Sequence, residues 1–150
     1  MNTFDYSYIA GFFDGEGSAM ILTIKRIKEE NFRFRPVIKI SQKNPLILKL
    51  IRDKLGFGTV LEHHNACLLQ INGNQKILRF IKTIGQFVVL KKEQLNLIEK
   101  LIEIQYKKNK PYNQNELIKI IDIRDAVHKL NAQNRKNIKL KYSKGDILCL

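Results

Sequence analysis

The sequence predicts an α+β fold: an antiparallel sheet with helices on one face. Three observations lead there. Strand-like segments come as neighbouring pairs between helical segments, an arrangement that builds antiparallel pairs rather than parallel crossovers. Residues 32–42 alternate between an apolar set (Phe32, Phe34, Ile38, Ile40) and a second set, Arg33, Arg35, Val37, Lys39 and Ser41. The longer segments keep apolar residues at helical spacing, as in Leu95, Ile98, Leu101 and Ile102. An antiparallel sheet can leave one face free. The Arg33/Arg35/Lys39/Ser41 face is polar and basic, so it is the face expected to stay open.

The elements follow in order. A first helix is expected from about Ser7 to Asp14, with Asp5 as N-cap and Gly15 and Gly17 ending it. Ser18 to Arg26 reads as a strand, and Phe32 to Gln42 as its partner. Pro45 sits at a helix first turn that leads to Leu55. Gly58–Glu62 and Ala66–Ile71 read as two short strands joined by the polar turn His63-His64-Asn65. Helices are expected at Gln75–Ile84, Lys91–Lys108 and Gln114–Asn131. The pattern is αββαββαα(α), with a basic tail from Ala132 to Leu150 that has a small apolar end.

The length of 150 residues fits one domain spanning 1–150, with 132–150 as its tail. Lys+Arg number 27 against 14 Asp+Glu, a formal charge of +13 that asks for a polyanionic partner, nucleic acid before membrane. Two cysteines, Cys67 and Cys149, exclude a disulfide scaffold and suit a reducing compartment. No apolar run reaches the ~18 residues of a membrane span, and Met1 to Tyr8 shows no signal peptide. The expected location is intracellular. Abundant Lys, Ile and Asn hint at an AT-rich coding sequence, hence an organelle (chloroplast or mitochondrion) or a prokaryotic cytoplasm.

The most informative segment is Ile9-Ala10-Gly11-Phe12-Phe13-Asp14-Gly15-Glu16-Gly17. Ile9, Phe12 and Phe13 form an apolar helix face for the core. Ser7, Ala10, Gly11 and Asp14 form a face of small residues that would let another helix approach closely. A glycine inside a helix costs about 1 kcal/mol relative to alanine, so Gly11 asks for a packing reason. Asp14 and Glu16 come at the helix C-terminal end, where the dipole disfavours anions. A cation explains carboxylates there better than capping does.

This segment resembles the signature of LAGLIDADG homing endonucleases in order and spacing. It differs in Ile for the first Leu, Phe-Phe for the middle aliphatics, Gly for the second Ala and Glu for the last Asp. Ile40-Ser41-Gln42-Lys43 resembles the family's strand end with its active-site Gln, and Leu90 to Leu97 the segment with its active-site Lys. One motif per chain implies a homodimer, with motif helices packed through Ser7, Ala10, Gly11 and Asp14. The resemblance implies a site-specific double-strand DNA endonuclease, intron-encoded, acting on a long pseudo-palindromic site. Both Glu16 carboxylates would then meet, and two adjacent carboxylates need a cation. Mg²⁺ is expected, with Mn²⁺ as a substitute: a hard ion content with few protein ligands. Glu16 and the Gly15 carbonyl would hold it, Gln42 would orient the attacking water, and Lys91 would stabilise charge on the phosphate. By family register, Ser18, Met20, Leu22 and Ile24 would face DNA, joined by Thr59, Leu61, His63, Leu68 and Gln70. The apolar members would meet thymine methyls.

The pattern departs from the family at Leu46, where some relatives carry a basic residue one turn after the Gln. Two other functions stay open: an RNA maturase that assists intron splicing, and a non-cleaving DNA-binding regulator on the same fold. His63, His64 and Cys67 lack a second ligand pair and make a poor zinc site. The Lys107-Lys108-Asn109-Lys110 cluster has no amphipathic anchor beside it, so no membrane partner is expected. The basic stretch Arg135–Lys144 reads equally well as a solvated segment or a phosphate contact.

Overall fold

The structure, a computed structural model, describes residues 3–106, 111–133 and 139–149. Helix α1 spans Thr3–Glu16, strand β1 Gly17–Arg26 and strand β2 Asn31–Gln42. Helix α2 spans Pro45–Leu55, β3 Thr59–Glu62 and β4 Cys67–Asn72. Helix α3 covers Asn74–Ile84, followed by a 3₁₀ turn at Gly85–Phe87. Helices α4 (Lys92–Tyr106), α5 (Gln114–Ala132) and α6 (Lys144–Leu148) complete the order. The α+β class and the expected element order hold.

Most boundaries fall where local chemistry places them. Asn44 caps α2 by accepting from the Leu46 N–H, with Pro45 in the first turn, where its missing N–H costs nothing. Gly56 ends that helix at φ +80°, which an L side chain would resist. Asn113 and Glu116 close a capping box on α5. Helix α1 is longer than expected at both ends. Asp5 lies inside it, because no glycine or proline stands between Thr3 and Ala10. Gly15 also lies inside it, since one helical glycine costs only about 1 kcal/mol, and the chain turns at Gly17.

The sheet is antiparallel with strand order β1-β2-β4-β3. Its register pairs Gly17 with Ile40, Met20 with Val37 and Ile24 with Arg33; β4 meets β2 from Val37↔Asn72 to Gln42↔Cys67. Pro36 therefore stands just where β4 has ended, which explains how a proline fits a central strand. From Pro36 to the turn, β1 and β2 run on as a two-stranded ribbon.

The inner face of the sheet is the core face. Ala19, Ile38, Ile40, Leu69 and Ile71 pack with Ile9 and Phe13 of α1 and with apolar residues of α2, α3 and α4. A second cluster lies beneath the ribbon: Phe34 with Leu101, Ile120, Ile121 and Ile147. Packing decides three positions that the sequence left open. Ala10, expected on the small-residue face, is fully buried in the first cluster, where it lies on the same side of α1 as Phe13, three residues on. Val37 alternates with the basic residues yet is fully buried, a short side chain between its longer cross-strand partners Met20 and Asn72. The end of the tail folds: Ile147 on α6 is buried and the Tyr142 ring meets Phe32 edge-on at 5.1 Å. Part of the Arg135–Lys144 stretch and the Lys107–Lys110 cluster lie outside the described residues.

Candidate functional site

Helix α1 passes into β1 without a loop: Glu16 is the last helical residue and Gly17 the first of the strand. Only glycine fits this joint, because a Cβ on Gly17 would stand 2.2 Å from Phe13 Cδ2 and 2.6 Å from the Phe13 carbonyl oxygen. Gly17 pairs with Ile40, and β2 continues two residues further to Gln42. Glu16 and Gln42 therefore sit at the same end of the sheet.

Lys91 reaches this end from the loop before α4 rather than from the helix expected to begin at it. Its ammonium donates to the Asp14 carbonyl oxygen and lies 5.9 Å from the centroid of the Phe13 ring. It thus sets a positive charge on the carbonyl end of α1, where the helix dipole favours one. Glu16 is exposed, and among the described residues its carboxylate has no hydrogen bond or ion pair. Gln42 is half-buried; its Oε1 accepts from the Lys43 N–H at 2.8 Å, which fixes the amide and leaves its NH₂ toward solvent partners. Leu46, the departing position, is 71% exposed.

Asp14 does something different from the expectation. Its carboxylate accepts three backbone N–H groups, from Val89 at 2.8 Å and from Leu90 and Lys91 at 3.1 Å. It is an internal brace for the loop that carries Lys91, not a residue of a free helix face. No sequence pattern announced this, because its partners lie 75 to 77 residues away.

The open face of α1 is correspondingly rotated. Ser7, Gly11 and Gly15 are exposed at four-residue steps, with Tyr8 beside them. A Cβ on Gly11 or Gly15 would meet nothing within 4 Å, so no packing among the described residues calls for either glycine. The loop held by Asp14 adds Val89 and Leu90, which are 77% and 74% exposed.

The outer face of the sheet collects the predicted reading residues by register. Ser18, Met20, Leu22 and Ile24 stand opposite Lys39, Val37, Arg35 and Arg33. Lys39 and Ser41 stand opposite Gln70 and Leu68, which in turn face Thr59 and Leu61. Strand parity continues this row to His63 beyond β3. No outer-face residue belongs to either core cluster among the described residues. Asn72 shares the face and was missed, although the alternation of Leu68 and Gln70 leads straight to it. His63 and His64 are exposed, whereas the buried Cys67 thiol points toward the Lys43 carbonyl oxygen, 3.7 Å away. No group of three or more His, Cys, Asp or Glu residues suited to a metal ion occurs among the described residues. No helix among them is long and apolar enough to cross a membrane.

The family model described as LAGLIDADG endonuclease matches residues 9–99, more than half the chain. The chain belongs to the LAGLIDADG endonuclease family. DNA endonuclease I-CreI of Chlamydomonas reinhardtii is 30% identical over an alignment of 101 residues, and the match covers 64% of this chain and 61% of that protein. The chain thus matches less than two thirds of that relative's length. Among solved structures, the archaeal intron-encoded homing endonuclease I-Vdi141I, complexed with DNA, superposes with a TM-score of 0.82. It is 22% identical, and the match covers 97% of this chain and 93% of that one. The homing endonuclease I-CvuI, in complex with the I-CreI target in 2 mM Mg with the DNA not cleaved, gives 0.74 at 20% identity. That match covers 91% of this chain and 90% of the other. These structures establish the homing endonuclease fold for this LAGLIDADG chain.

Proposed function

We propose that this chain, as a homodimer, is a site-specific, divalent-metal-dependent DNA endonuclease that spreads the intron encoding it. The observation that carries the reading is Glu16 and Gln42 at one end of the sheet, with Lys91 tied to the Asp14 carbonyl two residues before Glu16 and Arg33, Arg35 and Lys39 on the outer sheet face. The similar proteins support it: one is a DNA endonuclease, and I-Vdi141I and I-CvuI were solved in complex with DNA, the latter in the presence of magnesium.

Two chains would pack α1 on α1 through Ser7, Gly11 and Gly15, with Tyr8, Val89 and Leu90 at the rim. This gives Gly11 the packing partner that it lacks among the described residues of its own chain. The two Glu16 carboxylates would then meet at the centre. An open, unpartnered carboxylate beside the carbonyl of an uncrowded glycine, Gly15, suits a hard cation such as Mg²⁺, with phosphate and water as its other ligands. Such an ion, when bound, polarises a phosphate and lowers the pKa of a bound water.

The chain's own side chains divide the remaining work. Gln42, its amide fixed by the Lys43 N–H, orients a water with its free NH₂. Lys91 supplies positive charge for the phosphate oxygen that gains charge in the transition state. Ser18, Met20, Leu22, Ile24, Arg33, Arg35, Lys39, Ser41, Thr59, Leu61, His63, Leu68 and Gln70 would read the major groove, the apolar ones against thymine methyls. The charge of +13 per chain, about +26 for the dimer by doubling, draws the pair to a long duplex.

The test is cleavage of a duplex library with Mg²⁺ or Mn²⁺, comparing wild type with Glu16→Gln. The variant is expected to bind selected duplexes and leave them intact. Equal cutting by both proteins overturns the role of Glu16. Binding without cutting by the wild type, in either ion, returns the non-cleaving regulator.

A further inference from the structure

The outer half of the reading face stands on a support that lies outside the region matched by the family model. Beyond Pro36 only two strands remain, β1 and β2, and an isolated two-stranded ribbon is marginal in water. This ribbon carries Leu22, Ile24, Arg33 and Arg35. Helix α5 and the C-terminal segment 139–149, both C-terminal to the matched residues 9–99, pack beneath it.

The contact between them is polar as well as apolar. Arg124 of α5 is 1% exposed, a rare burial for a guanidinium. Its Nη1 donates to Thr23 Oγ1 of β1 at 3.2 Å and to the Tyr142 carbonyl oxygen at 2.9 Å. Its Nε and Nη2 donate to Asp125 Oδ1 at 2.8 and 2.6 Å. One side chain thus joins the ribbon, the helix and the C-terminal segment. Two turns further along α5, Asn131 Nδ2 donates to the Ala19 carbonyl oxygen of β1 at 2.7 Å. Seven helical residues rise about 10.5 Å, and four strand residues about 13 Å. The two bonds fasten α5 under β1 at two points, Arg124 at Thr23 in the ribbon and Asn131 at its root, where Ala19 pairs with Ile38. The Tyr142 ring on Phe32 and the Lys144–Asp122 ion pair at 2.8 Å hold the segment in place.

We propose that Arg124 and Asn131 are positioning residues for base recognition, and that the C-terminal segment is a brace which fixes the ribbon for the outer part of each half-site. The inference rests on the DNA-reading function proposed above. Neither residue touches DNA; each acts by holding Thr23 and Ala19, and so the outward side chains between and beside them. A flat or shifting ribbon would still attract phosphate but would lose its register on the bases, since reading depends on which side chain meets which pair.

The experiment uses the full chain and the variants Arg124→Met, Arg124→Lys and Asn131→Ala. Bound duplexes are selected from a randomised library, and amide hydrogen exchange is measured without DNA. Arg124→Met is expected to speed exchange over residues 21–36 at least tenfold and leave residues 37–42 and 67–72 within twofold. Base preference should fall at least fivefold at the half-site positions farthest from the cut, with inner positions and affinity for unselected duplex within twofold. Arg124→Lys, which keeps one donor for Thr23 or Tyr142, should recover part of both effects. Asn131→Ala should give the smaller version of each, and it decides the matter if Arg124→Met does not fold. A uniform loss across all positions, or an unchanged preference profile in Asn131→Ala and Arg124→Lys, overturns the brace. A wild-type chain that selects no sequence overturns the DNA-reading function itself.

Discussion

Replacing Asp14 by Asn removes a negative charge and one of two acceptor oxygens while keeping the side-chain shape. In the native chain those oxygens accept the N–H groups of Val89, Leu90 and Lys91 at 2.8–3.1 Å. Hydrogen bonds to a charged group contribute about 1.5–3 kcal/mol each. Two of the three share Oδ1 and the loop is partly open to water, so the group is worth about 2–3 kcal/mol rather than the sum. In the Asp14→Asn variant the new amide NH₂ would also face a backbone N–H. At about 3 °C per kcal/mol for a chain of this size, Tm should drop by about 6–9 °C. Protein concentration must be held fixed in the scan, because association shifts apparent stability. The same loop presents Lys91, Val89 and Leu90, so cleavage and self-association should fall with stability, including at temperatures where the variant is folded. An Asp14→Asn chain with unchanged Tm and full cleavage refutes the brace and returns Asp14 to the free helix face.

Three further outcomes follow from the structure. Gly17→Ala puts a Cβ 2.2 Å from the Phe13 ring and 2.6 Å from backbone oxygen; it should cost at least about 3 kcal/mol in chemical denaturation, at the upper end of overpacking losses. Arg33→Ala and Lys39→Ala should weaken duplex binding. A base contact costs about 1–3 kcal/mol and relaxes preference at one position, whereas a phosphate contact weakens all sequences and reduces the salt slope by about 1. Asp146 has its pKa held below 3.8, first by the Ser143 backbone N–H and then by the Ser143 hydroxyl. Its support of α6 is therefore complete above pH 3.8 and is lost as pH falls through the lower folded value. Amide protection of residues 143–149 should show that acid loss, and Asp146→Asn should remove it.

The outer face of the sheet was legible because a strand alternates with period two, so Arg33, Arg35 and Lys39 announced one side and Phe34, Ile38 and Ile40 the other. A helix gives a looser signal. Ser7, Ala10, Gly11 and Asp14 satisfied the spacing of a small-residue face, yet Ala10 is core and Asp14 is tied to residues 89–91. Alanine suits either environment, and a carboxylate's partner cannot be read when it lies far along the chain. The tail was open for a related reason. Its basic composition fitted solvent or phosphate equally, while a few apolar side chains, Tyr142, Ile147 and Leu148, decide that its end docks.

By itself, the sequence determined the α+β class and the family. These follow from local periodicity and from a nine-residue motif whose neighbours are adjacent in the chain. Only the tertiary structure decided which face of α1 is open, what Asp14 holds, and that a buried Arg124 joins β1 to the C-terminal segment. Each of these depends on contacts between residues far apart in sequence. Such contacts form only when burial of the two apolar clusters brings the elements together, and no pattern along the chain encodes their partners.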